Sequence, residues 1–280
     1  MPDYKLLSVS SDAKTIKGQQ YGFLTGILYL QPASLSGKNL CPGSSPGCRA
    51  ACLNLSGRSV AFPTIHKGRA RKTELFLNQP QVFLNNLILD AIKLIKESKG
   101  RRFNGKSFRP NVRLNGTSDI DFSRLRMQGS VLLYPSGKPV SGNLFKGLPQ
   151  STQKILKSSL KGKNLFEIFP DVQWMDYTKI PGRVINNPYK NYHLTFSLSE
   201  KNEEVARLIS NAGHNIAVVF NVDKNNPLPD TFWGREVIVG DAHDLRFLDK
   251  KGTIVGLRAK HRAKVDKTGF TKILTKKTIK

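Results

Sequence analysis

The sequence predicts an α/β fold, a complete or partial (β/α) barrel of about six to seven mainly parallel strands with a cysteine loop after the first strand. Three observations predict it: short continuous apolar segments, helical segments between them, and polar side chains where the apolar segments end. We expect a single barrel-like domain over residues 1–258 and a basic, weakly ordered carboxyl-terminal extension over residues 259–280. Of the 280 residues, 39% are hydrophobic, which is enough for a substantial core.

The strands are predicted from their composition and boundaries. The first, residues 21–30, reads YGFLTGILYL, is rich in β-branched and aromatic residues, and ends before Gln31 and Pro32. Similar short apolar segments, bounded by polar, Gly or Pro residues, predict further strands at 112–120, 171–179, 192–199, 215–222, 235–244 and 253–260.

Helices are predicted between several of these strands. Within residues 73–98, Pro80 is placed at a helix start, and apolar residues then recur at spacings of three and four. Residues 151–160 and 200–213 have helical patterns, and Gly213 is a helix stop. The basic stretch 100–109 is predicted to be a loop.

Polar residues follow one predicted strand after another. They are Asn115, Thr117, Asp119, Asp176, Thr178, Lys179, Thr195, Ser197, Asp241 and Asp244. One such ending is usually turn chemistry, but several indicate a shared crevice, because parallel α/β folds carry their sites at the carboxyl ends of the strands. No GxGxxG motif follows the first strand, which favours a barrel over an open doubly wound sheet.

The chain is strongly basic. Lys and Arg number 45 against 20 Asp and Glu, giving a formal net charge of +25. This excess favours a polyanionic partner, nucleic acid or a nucleotide, although a generally basic proteome would also produce it. The candidate phosphate contacts are Arg69, Arg71, Lys72, Arg101 and Arg102, with Phe103 and Phe108 as candidates for stacking on bases. The alternative is a solvated loop with its aromatic residues packed on the core.

The expected location is the cytoplasm. The amino terminus has no continuous apolar segment typical of a secretory signal, and the longest apolar stretch is too short to span a membrane. An odd number of cysteines without a signal indicates a reducing compartment.

All three cysteines, Cys41, Cys48 and Cys52, lie in one Gly- and Pro-rich stretch, CPGSSPGCRAAC. They have three interpretations. Free cysteines are often small buried hydrophobic residues, but their clustering argues against this. A structural zinc site normally requires four ligands, and His66 would complete a Cys3His set. The third interpretation is a 4Fe-4S cluster, in which three thiolates leave one iron open for a substrate or cofactor. We favour the cluster.

Several stretches resemble a family of bacteriophage proteins that is known only as "gene eighty-eight". They include NLCPGSSPGCRAACLNLSGR (39–58), VRLNGTSDI (112–120), FPDVQWMDYTK (169–179), NYHLTFSLSE (191–200) and GDAHDLRFLD (240–249). The resemblance covers about residues 15 to 260. It implies a phage or prophage origin, and hence the cytoplasm of an infected bacterium, and carries no established chemistry.

The layout is more distantly similar to radical S-adenosylmethionine enzymes, which also place three cysteines after the first strand. Their spacing is C-x3-C-x2-C, whereas this chain has C-x6-C-x3-C. Their Gly-Gly-Glu run would be replaced here by residues 114–119, with one glycine and an Asp in place of the Glu. The resemblance implies S-adenosylmethionine as cosubstrate, held by Asn115, Gly116, Thr117 and Asp119.

The other strand-end residues receive candidate roles by their chemistry. Thr195 and Ser197 lie two apart on one strand face and are candidates for hydrogen bonds to the cofactor. Asp176 and Lys179 are a candidate acid/base pair, or alternatively a salt bridge at the rim. Asp241, Asp244 and Arg246 would bind a ribose or phosphate, or form a capped turn.

Together these observations predict an iron–sulfur enzyme that acts on nucleic acid or nucleotides. The alternative is a non-enzymatic nucleic-acid-binding phage protein with a structural zinc or iron–sulfur site.

Overall fold

A computed structural model describes residues 5–10, 13–55 and 62–274. One nine-stranded sheet dominates it. Its members are β1 (Leu7–Val9), β2 (Phe23–Leu28), β5 (Arg109–Arg113), β6 (Gln173–Thr178), β7 (Tyr192–Ser197), β8 (Ile216–Phe220), β9 (Thr231–Phe232), β10 (Arg235–Val239) and β11 (Ile254–Arg258). The two short strands β3 (Arg102–Phe103) and β4 (Lys106–Ser107) form a separate hairpin.

The helices are short except for two. They are α1 (Ala13–Gly18), α2 (Pro46–Ala50), α3 (Pro63–Asn78), α4 (Pro80–Gly100), α5 (Gln150–Leu156), α6 (Leu165–Ile168), α7 (Pro181–Ile185) and α8 (Glu203–Asn211). Pro80 begins α4 as predicted, because proline at the first helical position loses no intrahelical hydrogen bond. No helix of the described residues is long and apolar enough to cross a membrane.

The strand order is β1-β2-β5-β6-β7-β8-β11-β10-β9. All pairs are parallel except the two outermost, β1 with β2 and β10 with β9. The prediction of a mixed α/β fold with a mainly parallel sheet is confirmed. The prediction of a complete barrel is wrong. A barrel would require the last parallel strand, β10, to pair with β2, but antiparallel β1 already occupies that edge of β2, with Leu7 opposite Leu28.

The two faces of the sheet are covered differently. On one face, Leu24, Val112 and Trp174 belong to the main hydrophobic core together with α4. On the other face lies the segment 240–249. Its Phe247 ring is 4.9 Å from that of Phe23 on β2, and its Asp244 contacts β5 through Arg113. This segment therefore fills the face opposite the main helices.

The carboxyl-terminal residues are folded onto the sheet as far as the structure describes them. The predicted extension differs from this, since Lys272 donates its backbone N–H to Val219 of β8 at 2.8 Å. Asn221 in turn donates to the carbonyl of Lys272 at 2.9 Å. Residues 259–274 are consequently not a loose basic tail, and residues 275–280 lie outside the described part.

Candidate functional site

The turn after β5, residues 114–119, forms the floor of the site. The hydrogen-bonding groups of its Asn115 are all paired within the protein. The backbone and side-chain N–H groups of Asn115 donate to Asp176 at 2.6 and 2.9 Å. Its side-chain oxygen accepts from Ser118 and from the backbone of Ile120. Asn115 is 2% exposed, and none of its side-chain capacity is directed to an open space. It shapes the turn, and its predicted role as a cofactor ligand gains no support from this placement.

A second buried network continues from the same turn. Asp119 forms an ion pair with Arg183 and accepts the backbone N–H of Lys179 at 2.8 Å. Arg183 also donates to the Tyr192 hydroxyl at 2.6 Å, and that hydroxyl donates to Asp176 at 2.8 Å. The network ties the turn after β5 to Asp176 within β6 and to Tyr192 at the start of β7, so Asp119, like Asn115, is engaged by the fold.

The other two members of the turn lie directly beneath the cysteine segment. Gly116 approaches Tyr29 so closely that a Cβ atom there would be 2.5 Å from its ring. The hydroxyl of Thr117 donates to the carbonyl of Leu30 at 2.5 Å. The Thr117 carbonyl accepts from the Cys41 thiol at 3.7 Å. The turn therefore touches the first cysteine through backbone rather than through side-chain groups.

The cysteine segment, residues 41–52, lies over the carboxyl ends of the strands. Cys48 is within α2, and Cys41 and Cys52 flank that helix. Ser45 caps α2 by accepting the Cys48 backbone N–H at 3.2 Å, and Pro46 begins the helix. The capped turn fixes the spacing between the second and third cysteines.

The three thiols lie close enough to influence one another electrostatically. Burial raises the pKa of Cys41 to about 11, opposed by the N–H of Ala33, and the neighbouring charges of Asp119, Cys52 and Cys48 raise it further. Burial also raises the pKa of Cys52, with Cys48 adding to the effect and Arg69 and Lys179 opposing it. Cys41 and Cys52 therefore resist ionisation in the metal-free protein, and a cationic centre bound beside them would stabilise both as thiolates.

No group of three or more His, Cys, Asp or Glu side chains in the described residues is arranged to hold a single metal ion. His66, on α3, therefore does not complete the Cys3His set considered for zinc. A four-iron cluster has a different requirement, because each thiolate binds a different iron and the sulfurs need not converge on one point. The donor set of three partly exposed thiols fits this case.

Two cations, each packed over an aromatic ring, lie near Cys52. Arg69 is 8% exposed, contacts the Asn54 side-chain oxygen, and places its guanidinium 5.0 Å from the centre of the Tyr29 ring. Lys179 extends over the Phe270 ring at 5.7 Å. Both cations lie near enough to Cys52 to lower its pKa. These charges favour a negatively charged centre or ligand at the thiols.

The predicted acid/base pair is placed in two different environments. Asp176 is 1% exposed and accepts hydrogen bonds from Asn115 and Tyr192. Burial raises its pKa to about 6, against the opposing effect of Arg183 and the Tyr192 hydrogen bond. Lys179 instead extends over Phe270, and no salt bridge joins the two among the described residues. The arrangement indicates a structural carboxylate rather than an acid/base partner.

Thr195 and Ser197 lie on the face of β7 that points away from the main core. Thr195 is fully buried, and its hydroxyl lies 3.3 Å from Nε2 of His193 on the same strand. Ser197 is partly exposed and ends β7 at the edge where the cysteine segment lies. Of this pair, only Ser197 is placed to meet a ligand.

The predicted phosphate contacts are dispersed. Arg69 faces Tyr29 and Asn54 in the interior, and Lys72 donates to the carbonyl of Leu6 at 2.6 Å. Arg71 is exposed on α3. Arg101 and Arg102 are also exposed, but they lie at the amino ends of the strands, opposite the cysteines. They do not share a surface with the thiols.

The aromatic residues beside these arginines are not arranged for base stacking. The rings of Phe103 and Phe108 are 5.9 Å apart, and Phe108 is 8% exposed. They pack on each other and on the core, as the alternative interpretation had it.

The side chains of Asp241, Asp244 and Arg246 have hydrogen-bonding partners within the fold. Asp244 accepts from Arg113 at 2.7 Å and from the Tyr177 hydroxyl at 3.3 Å. Asp241 accepts the backbone N–H of Arg258 at 2.9 Å, and Arg246 is 1% exposed. They anchor segment 240–249 to the sheet instead of facing an open ribose or phosphate site.

The sequence reasoning missed Glu200, which follows β7. Its carboxylate accepts from the Ser45 hydroxyl at 2.7 Å and from the backbone N–H of Gly47 at 2.8 Å. These hydrogen bonds hold its pKa below the usual range, although burial opposes the shift. The signal was present, because Glu200 is a polar residue just after a strand, like those that were selected.

A model of the family described as "Gene product 88" matches residues 5–272. No curated protein and no solved structure matches the chain.

Proposed function

The chain belongs to the gene product 88 family, which supports the predicted bacteriophage origin, and we propose its function from its own residues. We propose that Cys41, Cys48 and Cys52 hold a 4Fe-4S cluster and that the protein is an iron–sulfur enzyme acting on nucleic acid or nucleotides. The observation that carries the proposal is the placement of all three cysteines in one segment that contacts the carboxyl ends of parallel strands, through Thr117 after β5 and Glu200 after β7. The sheet order resembles that of a partial (β/α) barrel, in which this edge carries the chemistry.

When bound, the cluster supplies single-electron chemistry and one iron with an open coordination position. The chain's own residues prepare the site for it. Ala33 donates its N–H to the Cys41 sulfur at 3.3 Å, a hydrogen bond of the kind that tunes a cluster's potential. Arg69 and Lys179 offset the negative charge of the thiolates near Cys52.

S-adenosylmethionine remains the proposed cosubstrate, but Asn115 and Asp119 do not fit the role of holding it. Their side chains are engaged by Asp176, Ser118, Arg183 and the neighbouring backbone. Ser197, at the end of β7, and the backbone around Thr117 are the remaining predicted groups at this edge.

The substrate class follows from charge. The net charge of +25 requires compensation by a polyanion or by small ions, and exposed Arg49 lies between two of the cysteines. Lys179 and the exposed Lys267 add positive charge to the same edge of the molecule. We propose that this edge, and not the one that carries Arg101 and Arg102, receives the phosphates.

The test is anaerobic reconstitution with iron and sulfide of the native chain and of Cys41→Ala, Cys48→Ala and Cys52→Ala. The native chain is expected to become brown and to hold iron and sulfide, and each variant is expected to lose most of the cluster. Ser36→Ala, on the exposed loop before the cysteines, is the matched control and retains it. A colourless native chain that binds one zinc ion would contradict the proposal.

A second candidate is a non-enzymatic nucleic-acid-binding protein with a structural cluster. The observation that favours it is that Asn115, Asp119 and Asp176 are already engaged in hydrogen bonds and an ion pair within the fold. Few side chains at this edge are therefore left to take part in a reaction. Adding S-adenosylmethionine to the reduced, reconstituted protein separates the two. A changed electron paramagnetic resonance spectrum with cleavage of the cosubstrate supports the enzyme, and an unchanged spectrum without cleavage supports the structural role.

A further inference from the structure

The helix that carries Cys48 is too short to be stable by itself. Helix α2 has five residues, Pro46–Ala50, and a helix of this length is marginal without tertiary support. The geometry of the second thiol therefore depends on whatever packs against α2. Two elements from distant parts of the sequence do so.

The first is the end of β7. Glu200 accepts hydrogen bonds from the Ser45 hydroxyl and the Gly47 backbone, at 2.7 and 2.8 Å. The same Ser45 hydroxyl accepts the backbone N–H of Cys48 at 3.2 Å. One carboxylate is thus connected to the cysteine by two successive hydrogen bonds.

The second is a carboxyl-terminal strap, residues 266–272. Gly47 of α2 is buried against it, and a Cβ atom on Gly47 would collide with the Thr268 hydroxyl and would lie 2.7 Å from Cβ of Phe270. Phe270 also packs under the Lys179 side chain. Only a residue without a side chain fits between the two flanking cysteines at this point.

The strap is itself fixed to the domain. At one end, the Thr271 hydroxyl donates to the carbonyl of buried Ala263 at 2.9 Å, and the Asp266 carboxylate shapes the strap by accepting the backbone N–H groups of Thr268 and Thr271, at 3.0 and 2.8 Å. Lys272 joins the edge of β8 through its backbone and forms an ion pair with Glu203 at 3.2 Å. A segment held at both ends transmits its position to α2.

We propose that Glu200 and the carboxyl-terminal strap are positioning elements of the metal centre, which clamp α2 from two sides and set the place of Cys48. The part of this inference that concerns a metal rests on the proposed function. The clamp on α2 rests only on the contacts described above. The basic carboxyl terminus then has a role in assembling the site, beyond any contribution of its charge to nucleic-acid binding.

The test compares Glu200→Ala and Gly47→Ala with the controls Glu204→Ala and Gly68→Ala in the full chain. Glu204 is exposed on α8, and a Cβ atom on Gly68 would meet nothing within 4 Å. In the metal-free, reduced protein, the alkylation rate of each cysteine is measured by mass spectrometry. Both test variants are expected to speed the labelling of Cys48 several-fold relative to Cys41, and the controls are not.

After reconstitution, the same variants are expected to hold less iron and to show an altered electron paramagnetic resonance spectrum. In Glu200→Ala this loss is expected while the chain remains folded, as circular dichroism would show. Glu200→Gln, which keeps one acceptor oxygen, should lie between Glu200→Ala and the native chain. If Glu200→Ala and Gly47→Ala both show the labelling rate of Cys48 and the iron content of the native chain, the proposed clamp is overturned. A native chain without iron contradicts the proposed function instead, and the labelling rates still decide the clamp.

Discussion

At the scale of single residues, the polar side chains at the strand ends were predictable, but their partners were not. Asn115, Asp119 and Asp176 come together at one edge, as their positions after strands indicated. They bind one another, Arg183 and Tyr192, because a buried polar group without a partner costs more free energy than a hydrogen bond returns. Sequence position identifies which residues reach the edge, and tertiary packing decides which remain open to a ligand.

The partly buried His193 on β7 gives a pH dependence of stability with a defined sign. Burial lowers its pKa to about 4, and the positive charge of Arg246 adds to this effect together with His214 and Lys251. Because the folded pKa lies below the ordinary value of about 6.5, the unfolded chain binds the proton first as pH falls. The stability that His193 contributes above pH 6.5 is therefore lost between about pH 6.5 and 4.

Replacing His193→Gln should remove this loss. The variant is expected to retain about 1–2 kcal/mol more of its pH 7 stability at pH 4.5 than the native chain does, after allowance for partial exposure. Urea unfolding at the two pH values measures it. Asp176, whose raised pKa makes stability fall as pH rises through about 6, acts in the opposite direction and is unchanged in this comparison. An identical acid-side loss in both proteins would contradict the assignment.

At the scale of elements, apolar segments between turn residues were reliable guides. Six of the seven parallel strands lie within a predicted segment: β2, β6, β7, β8, β10 and β11. The seventh, β5, overlaps its predicted segment (112–120) only at Val112 and Arg113, because the strand begins earlier, at Arg109. Helix α3 was missed because PTIHKGRARKTELFLN has no continuous apolar stripe, and it buries mainly Arg69, Thr73 and Leu75. Short β1 was missed because it forms only where Asp90 of α4 accepts the N–H groups of Leu6 and Leu7.

The turn after β5 offers a test of how tightly it packs under the cysteine segment. In Gly116→Ala, the new methyl group would lie 2.5 Å from the Tyr29 ring and 2.8 Å from Ile27, so one of them must move. The expected loss of unfolding free energy is about 1–3 kcal/mol. Gly68→Ala, at an open position of α3, is the control and should instead stabilise by up to about 1 kcal/mol. Denaturant unfolding that finds Gly116→Ala as stable as the native chain would refute the packing described.

At the scale of the whole molecule, composition indicated a basic protein, but sequence could not say where its charges gather. Arg69 and Lys72 are used inside the fold, and Arg101 and Arg102 lie at the edge opposite the thiols. The sequence also could not show whether the sheet closes into a barrel, because this depends on whether another strand occupies the free edge of β2. Both are consequences of the packing of distant segments.

The location of the nucleic-acid surface is measurable by salt dependence. Arg49→Ala combined with Lys267→Ala removes two exposed cations beside the cysteine segment. This double variant should bind single-stranded DNA or RNA more weakly and should lower the slope of log affinity against log salt by about 1–2. Arg101→Ala combined with Arg102→Ala is the matched control at the opposite edge and should leave both quantities unchanged. If only Arg101→Ala with Arg102→Ala weakened binding and lowered the salt slope, the nucleic-acid surface would lie at the amino ends of the strands instead.

Mössbauer spectroscopy distinguishes a cluster that three thiolates hold, with one iron left open, from every other state of the three cysteines. The native chain is reconstituted with isotopically enriched iron, and spectra are compared with and without S-adenosylmethionine. We expect about four irons per chain, of which one differs from the others and responds to an added ligand. A protein without iron, or one whose irons are equivalent and insensitive to any ligand, would contradict it.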